Sequence, residues 1–266
     1  MLLSEPPSTQ YDLQFSLFGF PVRVHPFFFL GSAILGLRLA EINMFLVIEW
    51  ILVCFVSILV HELGHALAMR YYGSGARIVL YLMGGLAIPE SSWGYRSGRQ
   101  SQNSQIIISA AGPIAGFILA AVVVAIIFLS GGKFWFRPSI VFWDFELPFE
   151  FVFGANDSFL PSNSLMLYML VSNALYVNIL WGLVNLLPIY PLDGGQISRE
   201  IFTKGDAWQG TRNSLILSAA VAGGVAVFGL YHRQFFIGIF FGLMAYQSWQ
   251  SAQNMGGGRG YGGRPW

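Results

Sequence analysis

Four intervals of this chain run for twenty or more residues without an aspartate, glutamate, lysine or arginine: Gln100 to Gly132, Ser158 to Leu192, Asn213 to His232 and Gln234 to Gly258. A helix of about 20 mainly apolar residues crosses the hydrocarbon core of a bilayer. A fifth interval, Ile42 to Tyr72, carries Glu49, Glu62 and a closing Arg70 in otherwise apolar sequence, and a sixth, Pro26 to Leu37, is short enough to read as a brief span or a re-entrant piece. The fold class this predicts is an all-α polytopic membrane protein with about six transmembrane helices.

Composition narrows the function. Hydrophobic residues make up 55% of the chain and charged ones 10%, far from globular averages. The formal charge of +1 supplies no basic surplus to neutralise phosphates, which argues against a nucleic-acid partner. Cys54 stands alone, so neither an internal disulfide nor a cysteine-based metal site can be built. The opening MLLSEPPSTQYDLQ lacks a basic stretch followed by an apolar one, so no cleaved signal peptide is expected.

Orientation follows from the loops, because cytoplasmic loops carry the excess of lysine and arginine. With a cytoplasmic N-terminus, ten such residues fall inside (Arg23, Arg70, Arg77, Arg96, Arg99, Arg199, Lys204, Arg212, Arg259, Arg264) and four outside (Arg38, Lys133, Arg137, Arg233). The longest external loop is then 131–163. The expected location is a cell (inner) membrane, multi-pass, with both termini cytoplasmic.

Two stretches break the helical pattern. YDLQFSLFGFPVRVH alternates apolar Leu13, Phe15 and Leu17 with polar neighbours before a Gly-Phe-Pro break, the pattern of a short β-hairpin. ARIVLYLMGGLAIPE is β-branched and ends in Gly84-Gly85 and Pro89, which suits a membrane-associated strand or re-entrant hairpin after the second span. One integral-membrane domain over 1–255 is expected, followed by a disordered glycine-rich tail at 256–266.

The segment SILVHELGHALAMR places His61, Glu62 and His65 inside the fifth interval. Residues four apart share a helix face, so both imidazoles can reach one metal ion, and the H-E-x-x-H pattern adds a glutamate positioned as general base. Three ionisable groups at bilayer depth are costly and are functional by default, whereas a lone histidine would more often be a satisfied core residue. Catalytic zinc takes three protein ligands and keeps one position open. His25 precedes the first span and His232 lies near the opposite membrane face, so neither is well placed. Asp193, in NLLPIYPLDGGQ, follows the helix-breaking Pro188 and Pro191 and precedes Gly194-Gly195; it can point inward as a ligand or cap a helix.

Together these motifs resemble the site-2 protease family of intramembrane zinc metalloproteases. The resemblance runs through His61, Glu62 and His65, through Asn185, Pro188, Leu192, Asp193 and Gly194 in the spacing N-x-x-P-x-x-x-L-D-G, through Gly112-Pro113 at the start of the next span, and through the glycine-ended strand at Gly84-Gly85. It implies one zinc ion per chain held by His61, His65 and Asp193, with Glu62 as the base. It also implies that Asn185, Gly84 and Gly85 contact a membrane-anchored protein substrate, cut in or near its transmembrane segment in regulated intramembrane proteolysis. An unwound substrate could pair with the strand, with the Leu82 amide as one candidate donor. Many relatives carry an asparagine three residues after the Gly-Pro proline; here that residue is Gly116, which leaves Asn178 or Asn185 to assist the scissile carbonyl. Two other readings use the same residues: a non-catalytic divalent-metal-binding or metal-transporting membrane protein, and an unrelated H-E-x-x-H membrane protease completed by a glutamate.

Overall fold

The computed structural model describes residues 5–82, 84–90, 101–136, 149–152 and 165–256. The glycine-rich tail from 257 on, Arg96, Arg99 and most of the expected external loop lie outside the described residues. Contacts divide the chain into two compact units, 1–98 with 111–183, and 99–110 with 184–266.

The first unit begins with β1 (Leu13–Leu17) and β2 (Phe20–Val24), an antiparallel hairpin whose two-residue turn puts Phe18 at φ 50° and Gly19 at φ 82°. Positive φ at both central positions matches the twist of the flanking strands. β3 (Gly75–Tyr81) joins β2 in parallel, Val22 facing Ile78 and Val24 facing Leu80, and β4 (Gly84–Glu90) returns antiparallel. The two strand regions of the sequence are therefore one sheet, ordered β1-β2-β3-β4, rather than separate pieces. Phe20, Val22, Val24, Ile78 and Leu80 alternate along their strands and are all buried in one apolar core.

On the two inner strands, Arg23 of β2 donates to Asp12 at 3.0 Å and to Glu5 at 2.9 Å, and Arg77 of β3 donates to Glu5 at 2.6 Å. Burial by itself would raise the Asp12 pKa. Hydrogen bonds from the Thr9 hydroxyl and amide and from Arg23 outweigh it and hold the carboxyl below its ordinary value of 3.8.

α1 (Pro26–Gly36) starts with His25 as N-cap, its Nδ1 accepting from the Phe27 amide at 3.2 Å, and Pro26 in the first turn. This gives His25 a structural role. With 11 residues, α1 is about 16 Å long, roughly half the ~30 Å hydrocarbon core, so the sixth apolar interval is not by itself a full span. A 3-10 turn (Leu37–Glu41) leads to Asn43, whose side chain caps α2 (Met44–Tyr71). α2 carries the sheet at its C-terminal end, where Arg70 lies 4.4 Å over the Phe20 ring and donates to the Phe18 carbonyl at 2.8 Å.

α3 (Gln102–Leu129) is continuous through Gly112-Pro113, which therefore lies well inside the helix rather than at its start. Residues of its C-terminal half pack with α4 (Leu165–Tyr176) through Ala120, Ile127 and Leu175. A hairpin of β5 (Lys133–Phe136) and β6 (Phe149–Val152) lies between them in sequence. α4 passes through one π-helical turn, Val177–Trp181, into the short α5 (Gly182–Asn185).

The second unit comprises α6 (Asp193–Phe202), α7 (Ala207–Tyr231) and α8 (Phe235–Gly256). α7 and α8 meet at Ala222, Ala226, Phe241 and Met244, with Ile189 of the preceding segment in the same core. Deeper in the pair, the Ser218 and Ser248 hydroxyls bond at 2.8 Å, and Ser218 accepts from the Tyr190 amide at 2.8 Å. The α6–α8 segment thus fastens the chain that leads up to Asp193.

Among the described residues, four helical stretches are long and apolar enough to cross a membrane: α2, α3, α4 through α5, and α7. The described chain is mostly helical, with candidate membrane-crossing helices and a small sheet. α8 has 22 residues, but Gln247, Gln250, Gln253 and Asn254 make its second half polar.

Candidate metal centre and general base

The helical spacing read from the sequence is realised in the middle of α2. His61 and His65 stand one turn apart, both buried, with their Nε2 atoms 3.2 Å from each other and their rings 4.9 Å apart. Two imidazole nitrogens this close together could supply two ligands to one metal ion.

Three glycines shape the space around this turn. A β-carbon on Gly64 would run into the Ala111 carbonyl, so α2 and α3 approach closely there through small residues. A β-carbon on Gly112 would collide with His65 Nε2 and lie 2.7 Å from His61 Nε2. Gly112 therefore lets the backbone of α3 pack directly against the two imidazoles where their Nε2 atoms converge. On the other side, a β-carbon on Gly85 would press on Glu62 and come 2.6 Å from its Oε1. Glu62 is buried, and the backbone of β4 is what it packs against.

The residues assigned to substrate contact separate here. Gly85 abuts the glutamate, whereas nothing lies within 4 Å of a β-carbon placed on Gly84. Leu82 sits in the β3–β4 turn at φ 51°, outside the edge strand, so its amide is not the donor that a strand-pairing substrate would meet.

Asn178, in the π-turn, donates through Nδ2 to Ser57 Oγ and to the Ala174 carbonyl, both at 2.8 Å. Both amide hydrogens are thus engaged, and Asn178 presents an acceptor. A group assisting a scissile carbonyl must donate, so of the two asparagines considered only Asn185 retains that role. Asn185 is the last residue of α5 and is buried.

In the second unit, Asp193 occupies the first turn of α6 and is buried. Leu192 holds the N-cap position, so Asp193 is not the cap that an alternative reading of the sequence would make it. β-carbons on Gly194 and Gly195 would meet the backbone of Leu186 and Ile189, so these glycines let α6 start directly against the preceding turn. The role of Gly112 was not legible in advance. The Gly-Pro pair was visible as a motif, but the requirement for an absent β-carbon appears only when α3 lies beside α2.

Residues 49–227 match the family model of peptidase family M50. Over 192 residues the chain is 29% identical to a zinc metalloprotease of Methanocaldococcus jannaschii, covering 71% of this chain and 45% of that protein, so it spans about half the length of this curated relative. The solved structure of a site-2 protease from the same organism matches with a TM-score of 0.55 at 22% identity, covering 91% of this chain and 95% of that one, a likeness of fold. The resemblance read from the sequence motifs is borne out by these matches.

Proposed function

Because the chain belongs to peptidase family M50, we infer that it is a membrane-embedded zinc metalloprotease that hydrolyses a peptide bond in or near the transmembrane segment of a membrane-anchored regulatory protein. The observation that carries this reading is the placement of Glu62, next in sequence to one potential metal ligand and within a turn of another, against Gly85 of a sheet-edge strand. A purely metal-binding or metal-carrying protein has no use for a carboxylate wedged against a strand.

His61, His65 and Asp193 are the proposed ligands of one zinc ion. All three are buried. Two imidazoles and a carboxylate suit zinc, and at Gly112 α3 presents no side chain that would compete with an ion for the two imidazole nitrogens. When bound, zinc supplies Lewis acidity and lowers the pKa of water toward ~7. Glu62 takes the proton of the attacking water and later delivers it to the leaving amine, while Gly85 fixes where that carboxylate can stand. Asn185 positions the substrate backbone.

β4 is the candidate docking edge. A two-residue hairpin closes on a hydrogen-bonded pair, here Tyr81 with Gly84, so alternation turns the amides of Gly85 and Ala87 toward the outer edge. Pro89, which has no amide hydrogen, falls on that same side. A substrate stretch unwound from its helix would pair along Gly85 to Ala87 and bring its backbone past Glu62.

The protein is placed in a cell (inner) membrane with cytoplasmic termini, on the ten-to-four asymmetry of lysine and arginine. α1 and α8 join the four long spans in the bilayer and account for the six apolar intervals. Purified protein in vesicles, given labelled single-span substrates with and without chelator, tests the reading. Cuts within the membrane segment that vanish on chelation and with Glu62→Gln are expected; chelator-insensitive cleavage, or cuts confined to soluble loops, would overturn it.

A further inference from the structure

Asn178 is only 3% exposed, and its amide is fixed in one orientation, because the Ala174 carbonyl can only accept and so must face the nitrogen. Its Oδ1 is buried and has no hydrogen-bond partner among the described residues. The oxygen lies toward Gly116 of α3, where a β-carbon would sit 3.5 Å from it. Beside it is a cavity of about 10 Å³, lined by Ser57, His61, Gly116, Asn178 and Trp181 among others. That is about the space one water needs.

We propose that this cavity is a single-water site, in which Asn178 Oδ1 accepts a hydrogen bond from a water held between the π-turn and α2, against His61. An apolar void of this size stays dry, but a void with an orphaned acceptor on its wall fills. Ser57 offers the second partner. Its hydroxyl oxygen already accepts from Asn178, and its own hydrogen is available to the water. The π-turn explains why Asn178 can serve here, since a widened turn re-aims side chains that a regular helix would send elsewhere, and such turns concentrate at functional sites.

The role of the water rests on the protease reading. Each cut consumes one water at a depth where the surrounding lipid supplies none. A molecule parked against His61 is the replacement, and Asn178 is a positioning residue that acts through it. Ser57 and His61 are four residues apart and so share a face of α2, which puts the store on the helix that bears the general base.

The test combines direct observation with two variants. In a high-resolution structure of the wild-type protein in lipid, a water peak within hydrogen-bonding distance of Asn178 Oδ1 is expected, and an empty cavity overturns the proposal. Asn178→Leu removes the acceptor at similar volume, and Gly116→Ala narrows the cavity by a methyl in ordinary contact with Asn178, 3.5 Å from Oδ1, while leaving that acceptor in place. Each should lower kcat roughly tenfold with KM and zinc content unchanged, and the double variant should be no worse than the worse single one, because both act on one water. Unchanged kcat in Gly116→Ala, or additive losses in the double variant, counts against it, and Gly116→Ala decides alone if Asn178→Leu does not fold. Should wild type and Glu62→Gln cleave alike, the protease reading fails while the water peak still judges the site.

Discussion

Gly85 and Glu62 adjoin so closely that a β-carbon on the glycine would lie 2.6 Å from Glu62 Oε1. The strand and the proposed general base cannot be varied independently. Gly85→Ala should displace the carboxylate and lower kcat on the order of 100-fold, since about 1 Å of misplacement in a catalytic group has that effect. Gly84→Ala, which meets nothing within 4 Å, should stay within about twofold of wild type. Steady-state cleavage of one substrate by both variants, with zinc measured in each, checks the contrast; equal losses would mean that the glycines serve strand flexibility instead.

Ligand and base should separate on metal content. Glu62→Gln should abolish cleavage yet keep zinc near one per chain, because the glutamate is proposed as base and not as ligand. His65→Ala and Asp193→Ala should lose both, as a site cut to two ligands binds zinc poorly. Elemental analysis of purified variants reads this directly, and full zinc in Asp193→Ala would remove it from the ligand set.

Gly112 gives a subtler test. Gly112→Ala puts a methyl group against His65 Nε2 and 2.7 Å from His61 Nε2 while leaving every proposed ligand in place. Alanine is the better helix former by about 1 kcal/mol, so the helix itself loses nothing. Zinc affinity should fall roughly tenfold or more, read by competition with a calibrated chelator, and an unchanged affinity would put the ion elsewhere.

Strand pairing predicts that helix stability in the substrate governs the rate. An intact transmembrane helix has its backbone groups already paired, so Gly, Pro or Asn near the cut should speed cleavage and leucine in their place should slow it. In the enzyme, Ala87→Pro removes an outward donor from β4 and should raise KM several-fold with zinc retained. Cleavage that ignores both changes would argue against edge pairing.

Asp12 predicts an acid limit for the sheet. Its folded-state pKa is depressed, so its contribution is fully present above the unfolded value of 3.8 and is lost as pH falls through the lower folded value. Thermal melts across that window should show wild type losing stability relative to Asp12→Asn, which lacks the titration; parallel curves would mean that Arg23 and Thr9 hold the carboxyl no more tightly in the folded state than in the unfolded.

How much of this was legible depended on how far apart in sequence the cause lay. His61 and His65 share a turn, and the strand alternation at Leu13 to Leu17 needs only neighbours, so periodicity reveals both. The parallel pairing of Val22 with Ile78 joins residues more than fifty apart and leaves no local trace, which is why the sheet looked like two fragments. The π-turn at Val177–Trp181 sits in an apolar run with no glycine or proline to announce it. Length alone left Pro26 to Leu37 ambiguous, and only the cap at His25 and the 3-10 turn that follows Gly36 limit α1 to 11 residues.

That shortness has a consequence for the lipid. α1 spans about 16 Å yet shows lipid-compatible surface at Phe27, Leu30, Ile34 and Leu37, and its Gly31 lies under the β3–β4 turn, where a β-carbon would be 2.6 Å from the Leu82 carbonyl. Acyl chains beside a half-length hydrophobic wall must tilt, shorten or splay to cover it, and the bilayer thins there. A neighbouring helix that drifts into such a dimple finds its end drawn toward headgroups and water, where its hydrogen bonds open more readily. Thicker membranes would deepen the mismatch, so acyl-chain length becomes a control on the enzyme that acts with no change in its sequence.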